Sequence, residues 1–236
     1  MFGVSPIASG WHCRCGTAVE AGHFHTCNRV HGPATNQRHE TVISEIATVA
    51  VSHLQMHVEK APSIATADGQ LIDGARHVVP DVVLRCAEFQ LATDVSFVFS
   101  ESAGRVAASH RSGKAALATV MGAMSTRARD KASKYARACA RDGLTFEAFV
   151  MDSHGALDAS AERVIKRLAQ WAEDGLGLDG AMMATYIRRR LAIAAQRGNA
   201  RLDQQAVAMS RGGYGGAMAS GCLQPRPGFV GGAADQ

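Results

Sequence analysis

Two aspartates stand inside apolar segments of the sequence, which is an unusual place for a carboxylate. Asp81 follows Pro80 in the segment 78–86, and Asp94 lies in the next apolar segment, 89–100. A buried carboxylate is unfavourable unless it is paired, hydrogen-bonded or bound to a cation. Two carboxylates on neighbouring strands can share one Mg²⁺ or Mn²⁺ ion, which prefers oxygen ligands and can activate water against a phosphate. The alternative is that each aspartate marks a strand end or caps a turn.

A basic segment follows the aspartates and could supply the cations that such a site needs. Lys131, Lys134 and Tyr135 belong to this segment, and Arg127 shares one face of a predicted helix with the two lysines. A lysine beside a scissile phosphate stabilises developing negative charge, and arginines such as Arg127 and Arg129 can follow a nucleic-acid backbone. The alternative for any one of these lysines is a solvated helix face.

The charge distribution favours a polyanionic partner. The formal net charge of the 236 residues is only +4, but residues 1–104 carry six Lys/Arg against ten Asp/Glu. Residues 105–141 carry nine Lys/Arg against one acid. A basic block of this kind, placed after an acidic region, indicates a nucleic-acid partner, DNA or RNA, near a site that uses carboxylates.

A second cluster near the N-terminus combines cysteines and histidines at metal-ligand spacing. Two close pairs separated by seven residues predict a CCHC zinc knuckle over residues 10–33. Its expected Zn²⁺ ligands are Cys13, Cys15, His23 and Cys27. His12 or His25 could replace one of them, because the first pair is closely spaced. With four protein ligands the zinc would be structural, and the alternative is a loop of reduced thiols with incidental histidines.

The elements that must position these residues follow from apolar periodicity and turn residues. Apolar side chains at three- and four-residue spacing predict a helix over about 36–58, ended by Pro62 at the latest. Two Asp-Gly pairs predict a hairpin between Ile64 and His77. The further predicted elements are strands over 78–86, 89–100 and 145–151, and helices over about 112–142, 158–172 and 179–196.

This order of elements predicts an α/β or α+β fold with a mixed central sheet flanked by helices. The predicted organisation is a small zinc loop over residues 10–33, a core over 34–175, a helical extension over 176–209 and a disordered Gly-rich tail over 210–236. The sequence shows no secretory signal and no apolar run long enough to span a bilayer. We therefore expect an intracellular protein without a membrane partner.

The order and spacing of these motifs resemble a known nuclease region. It is the restriction-like endonuclease region at the C-terminal end of site-specific non-LTR retrotransposon proteins, a branch of the PD-(D/E)XK nuclease superfamily. The resemblance covers residues 11–203, and it is carried by the order of the motifs rather than by any single one. The matching positions are Cys13, Cys15, His23 and Cys27, then Arg38-His39, Pro80-Asp81, Asp94, Lys131 and Lys134-Tyr135.

The resemblance implies that residues 34–175 form a restriction-like endonuclease core that cleaves DNA with Mg²⁺ or Mn²⁺. Asp81 and Asp94 would hold the metal. A nick in one DNA strand would expose a 3′ hydroxyl, and the expected location of the protein is the nucleus. Ser96 occupies the usual D-x-K lysine position, as in the branch where the lysine lies on the helix. Catalysis would therefore depend on Lys131 or Lys134, with Tyr135 beside them.

Three further expectations accompany the resemblance. Arg38 and His39 would contact DNA or brace the knuckle, or else form a polar pair at a helix N-terminus. Glu45 is a candidate extra metal ligand, with surface solvation as the alternative. The reverse transcriptase that precedes this region in family proteins is missing from the sequence, so we expect a remnant copy, a domesticated gene or a fragment. The rival function is a catalytically inactive module that kept the fold and binds nucleic acid or a protein.

Overall fold

The computed structural model describes residues 23, 31–66, 77–99, 111 and 116–211. Within these ranges the chain forms four helices and six strands. The helices are α1 (His31–Leu54), α2 (Ala116–Arg141), α3 (Ala159–Leu176) and α4 (Gly180–Arg211). The strands are β1 (His57–Lys60), β2 (Ile64–Ala65), β3 (His77–Val78), β4 (Val82–Arg85), β5 (Gln90–Val98) and β6 (Thr145–Asp152).

The central sheet is mixed and has the strand order β1-β4-β5-β6. β1 pairs antiparallel with β4 and β4 antiparallel with β5, whereas β5 and β6 run parallel. Parallel neighbours need a long connection, and α2 lies within the one that joins β5 to β6. A separate pair, β2 and β3, is antiparallel and lies against α2. The predicted α/β fold with a mixed sheet flanked by helices is therefore confirmed.

Alternation along the strands divides the core between the two faces of the sheet. Leu91 and Val95 of β5 pack with α1, α3 and α4 in one large apolar cluster. Ala92 and Val98 point to the opposite face, where they belong to two smaller clusters formed with α2. Among the described helices, α2 covers one face, where Ile64 of β2 and Val78 of β3 pack with it, and the other three helices share the second face.

Most predicted elements lie near their expected positions, but several boundaries were wrong. The strand predicted over 78–86 is β4 (Val82–Arg85), so Asp81 lies just before the strand and not within it. The first helix ends at Leu54, because Gln55 takes a positive φ of 53° and β1 then begins at His57. The last helix continues to Arg211 instead of ending near Gln196. Its buried stripe extends to Leu202 through small residues, which give a weak apolar signal in the sequence. Gly143, with a φ of 73°, follows α2 as predicted.

Several predictions fall outside the described residues. The hairpin between Ile64 and His77 is described at its two ends, where Ile64 pairs with Val78 and Ala65 with His77. Most of the zinc loop and the Gly-rich tail lie in undescribed ranges. Among the described helices, none combines the length and apolar character needed to cross a bilayer.

A buried arginine joins α1 to α4. Arg38 is 3% exposed, its Nη1 donates a hydrogen bond of 3.1 Å to Oδ1 of Asn199, and its guanidinium lies 4.3 Å from the ring centre of Phe97. Asn199 in turn donates to the carbonyl of Ser153 at 2.5 Å. Burial lowers the pKa of Arg38 to about 10, although nearby Asp203 opposes this. Arg38 therefore connects α1, the first helix of the core, to α4, the last.

The close approach of α4 to α1 depends on Gly198. A Cβ atom at this position would lie 2.6 Å from Cγ and 3.0 Å from Cα of Arg38. We expect Gly198→Ala to lower the free energy of unfolding by about 1–3 kcal/mol, because the backbone of α1 must shift to admit the methyl group. Gly122→Ala is the matched control in α2, since its Cβ would meet nothing within 4 Å. That control should gain up to about 1 kcal/mol from helix propensity.

Urea-induced unfolding of the two variants and the wild type measures both values. Equal stability of Gly198→Ala and Gly122→Ala would show that the contact with Arg38 does not limit the packing of the two helices.

Candidate active site

Asp94 lies on the face of β5 that α2 covers. The strand alternates, so Asp94 points to the same side as Ala92 and Val98. On α2, Lys131 falls between residues that pack with Val98 and residues that pack with Ala92. The carboxylate and the ammonium group therefore meet between the two apolar clusters of this face.

The contacts of Asp94 come mainly from α2. Lys131 Nζ lies 2.6 Å from Asp94 Oδ2, and the side chains are 18% and 5% exposed, respectively. The hydroxyl of Tyr135 also hydrogen-bonds to this carboxylate. Tyr135 is held in turn by stacking on Phe146, with 5.1 Å between ring centres. Asp94 is thus presented by a strand and contacted by one helix.

The charged form of Asp94 is disfavoured in the fold. Burial, followed by repulsion from Asp81, raises the pKa of this carboxyl above its usual value, although Lys131 and Tyr135 act in the opposite direction. Its Oδ2 atom is fully buried and accepts no hydrogen bond of acceptable angle from the described residues, despite the short distance to Lys131. An ionised oxygen in a buried place is suited to a cation, and within the chain that cation is Lys131.

Asp81 occupies the position next to Asp94 in the sheet. It directly precedes β4, and Val82 pairs with Thr93, so the antiparallel register brings the two aspartates to adjacent positions. Its Oδ2 accepts the backbone N–H of Val95 at 2.6 Å. This amide lies beyond the end of the β4–β5 ladder, and the carboxylate replaces the missing strand partner.

His39 of α1 holds the same carboxylate from the other side. Its Nε2 lies 2.9 Å from Asp81 Oδ2 and 3.1 Å from the carbonyl oxygen of Val95. Both neighbours are acceptors, so Nε2 must carry the proton and donate. Burial alone would lower the pKa of His39, but the hydrogen bond to Asp81 and the negative charges of Asp81 and Asp94 outweigh it and raise the pKa. The charged form of the imidazole is therefore more favourable in the fold than in the unfolded chain.

The donor set fits a hard divalent cation. Mg²⁺ in proteins is commonly held by one or two carboxylates, with water or substrate phosphate completing its coordination. Asp81 and Asp94 supply two carboxylates, and Asp94 Oδ2 is the oxygen that Lys131 now neutralises. Within the described ranges, no group of three or more His, Cys, Asp and Glu side chains is close enough to form a metal site by itself.

The two predicted lysines differ in their distance from the carboxylates. Lys131 contacts Asp94 directly, whereas Lys134 Nζ lies 5.2 Å from the ring centre of Tyr135. Both lysines are partly buried, and they lie on the same flank of α2. Lys131 is the cation at the site, and Lys134 lies one turn further along the helix.

The predicted arginines separate into three environments. Arg127 is exposed and lies one turn before Lys131 on the same flank of α2. Arg129 is exposed on the opposite side of the helix, where its Nη2 donates to Thr126 at 3.2 Å. Arg38 is buried beneath α4, so it braces the fold and does not form a surface contact with DNA.

Two metal-ligand predictions have different outcomes. Cys13, Cys15 and Cys27 lie outside the described residues, and His23 is described as half-buried and helical. Glu45 forms an ion pair with Arg190 of α4, which is the partner that holds this side chain. Surface solvation was the expected alternative for Glu45, and the pairing with Arg190 was not predicted.

Sequence reasoning also missed the contact between His39 and Asp81. A signal for it was present, since His39 precedes Val42 and Ile43 by three and four residues and so belongs to the apolar stripe of α1. A histidine on that stripe points toward the sheet.

No protein-family model matches the chain, and the comparison with curated proteins finds no significant match.

The His39–Asp81 contact predicts a pH dependence of stability. Because the pKa of His39 is raised on folding, the pair contributes stability that is fully present below the unfolded pKa of 6.5. That contribution is lost as pH rises through the folded pKa. We expect the stability of His39→Gln to lack this decrease with rising pH, because the glutamine amide remains neutral. The control His53→Gln should show the same decrease as the wild type. Urea unfolding over a pH series from about 5 to 9 measures the effect.

Identical pH profiles for the wild type and His39→Gln would contradict the assigned charge coupling.

Proposed function

We propose that the chain is a Mg²⁺- or Mn²⁺-dependent DNA endonuclease that nicks one strand, built on a PD-(D/E)XK-like core. The observation that carries this proposal is the meeting of Asp81, Asp94 and Lys131 at the junction of β4, β5 and α2. Two carboxylates that can hold a metal ion, together with an ammonium group, can support hydrolysis of a phosphodiester. The CCHC residues would hold a structural Zn²⁺ ion.

Each residue of the site has a distinct role in the proposal. Asp81 and Asp94 would hold the divalent ion, which when bound neutralises charge on the phosphate and lowers the pKa of water. Lys131 would donate to a non-bridging phosphate oxygen as negative charge develops there. Tyr135 would fix the Asp94 carboxylate through its hydroxyl. Water adds to phosphorus, and the bond to the 3′ oxygen breaks, which leaves a 5′ phosphate and a 3′ hydroxyl.

The energetics of Asp94 agree with such a role. A raised carboxyl pKa means that the ionised form of Asp94 is less favourable in the folded chain than in the unfolded chain. Groups perturbed in this way by burial and a like charge are concentrated at functional sites. A bound cation would remove the repulsion between the two aspartates.

A second candidate function is supported by the pairing within the site. His39 contacts Asp81 and Lys131 contacts Asp94, so the chain supplies a cation for each carboxylate. A module that has lost catalysis and binds nucleic acid or a protein could keep these pairs for stability alone. The two functions differ in whether a cation is needed and whether DNA is cut.

Nicking of supercoiled plasmid DNA with and without Mg²⁺ tests the proposal. The wild type should convert supercoiled to open-circular DNA only with the metal, and Asp81→Ala and Asp94→Asn should lose this activity while still binding DNA. A wild type that binds DNA and never nicks it would favour the binding module.

The same assay distinguishes the two lysines. Lys131→Ala should reduce the rate of nicking on the order of 10²- to 10³-fold, as expected for the loss of one transition-state donor. Lys134→Ala should cause a smaller loss, because Lys134 lies beside Tyr135 and not against Asp94. Equal losses in the two variants would contradict the assignment of Lys131.

DNA affinity should depend on the flank of α2 that carries Lys131. Arg127→Ala should reduce the slope of log K against log salt concentration by about 1, because one phosphate contact is lost. Arg129→Ala is the matched control from the other side of the same helix and should leave the slope unchanged. Fluorescence anisotropy with a labelled duplex over a salt series measures both slopes. A larger effect for Arg129 would place the DNA on the opposite side of α2.

A further inference from the structure

The His39 imidazole is placed to control the direction of the Asp81 carboxylate. Nε2 of His39 and the amide of Val95 both donate to Asp81 Oδ2, at 2.9 and 2.6 Å. The other oxygen, Oδ1, has no hydrogen-bond partner among the described residues. Two donors on one oxygen fix the plane of the carboxylate and leave the second oxygen for another ligand.

Asp81 needs such a device because its backbone is only partly held by the sheet. It precedes the first residue of β4 and follows Pro80, which has no N–H to donate. Its carbonyl oxygen accepts the N–H of Ala61 at 2.8 Å, but the side chain lies at the end of the ladder. Repulsion from Asp94 would also turn a freely rotating carboxylate away from the position that a shared cation requires.

His39 is itself firmly placed. It lies on the inward stripe of α1, and its Nε2–H is shared between Asp81 and the carbonyl oxygen of Val95. The preceding residue, Arg38, is anchored to Asn199 of α4. The ring therefore connects the helix layer to the end of β4 and to β5.

We propose that His39 is a positioning residue that fixes Asp81 through Oδ2 so that Oδ1 faces a divalent cation shared with Asp94. This inference rests on the proposed function, because it assumes a cation at the two aspartates. It gives His39 a role inside the site, in place of the DNA contact that the sequence suggested. A group that orients a metal ligand in this way commonly changes metal affinity about 10- to 100-fold when it is removed.

Mn²⁺ binding by the full chain tests the inference without reference to activity. We expect His39→Leu to weaken Mn²⁺ binding about 10- to 100-fold, as followed by the electron paramagnetic resonance signal of free Mn²⁺. His39→Gln should retain most of the affinity, because its amide can still donate to Asp81. His53→Leu is the matched control, since His53 is exposed and its ring contacts Tyr186. DNA affinity measured in EDTA should be the same in all four proteins.

Nicking kinetics provide a second readout. In His39→Leu, the Mn²⁺ concentration for half-maximal rate should rise, and the rate at saturating Mn²⁺ should stay near that of the wild type. In an Asp81→Ala background, replacing His39 should change Mn²⁺ affinity no further, because the residue acts through Asp81. This comparison remains decisive if His39→Leu alone is poorly folded.

Three results would overturn the inference. Unchanged Mn²⁺ affinity in His39→Leu would overturn the inference and leave the proposed function intact. A further loss of Mn²⁺ affinity when His39 is replaced in the Asp81→Ala background would have the same meaning. A wild type that binds no Mn²⁺ would remove the proposed function together with the inference.

Discussion

The placement of a carboxylate between a sheet and a helix is the constraint on which the rest of this structure depends. Asp94 lies in β5 between two apolar clusters, one on each side of it. α2 covers the carboxylate and both clusters. Its charge is unfavourable there unless a cation is close. Lys131 is that cation in the chain, and it divides the apolar face of α2 into two parts. The helix therefore cannot rotate or slide without leaving either the carboxylate or the apolar residues uncovered.

The opposite layer serves the same site from a greater distance. α1 carries His39 to Asp81, and the buried Arg38 next to it is anchored by Asn199 of α4. Gly198 allows the two helices to approach closely at this point. α4 thus belongs to the packing that positions Asp81, and its residues Ile187, Leu191, Ala194 and Ala195 share the main core with α1 and α3.

The sequence predicted the elements better than it predicted the partners of polar residues. Periodicity located the helices, and the apolar segments around Asp81 and Asp94 located β4 and β5, because burial imposes a regular pattern. Periodicity does not show which polar side chains meet across layers. Arg38 was expected to contact DNA, to brace the knuckle or to form a polar pair at a helix N-terminus, and it is instead buried. Glu45 is paired with Arg190 of α4, far along the chain. The end of α4 was missed because alanine and glycine give little apolar signal even where they are buried.

The central claim is that Asp81 and Asp94 together hold a divalent cation that replaces Lys131 at Asp94. A crystal structure of the chain soaked with Mn²⁺, with anomalous scattering used to locate the ion, tests this most directly. We predict one Mn²⁺ peak with an oxygen of each aspartate at about 2.0–2.6 Å and with Lys131 Nζ displaced from Asp94 Oδ2. A structure without Mn²⁺ at these residues, in which Lys131 and His39 keep their contacts with the two aspartates, would contradict the account.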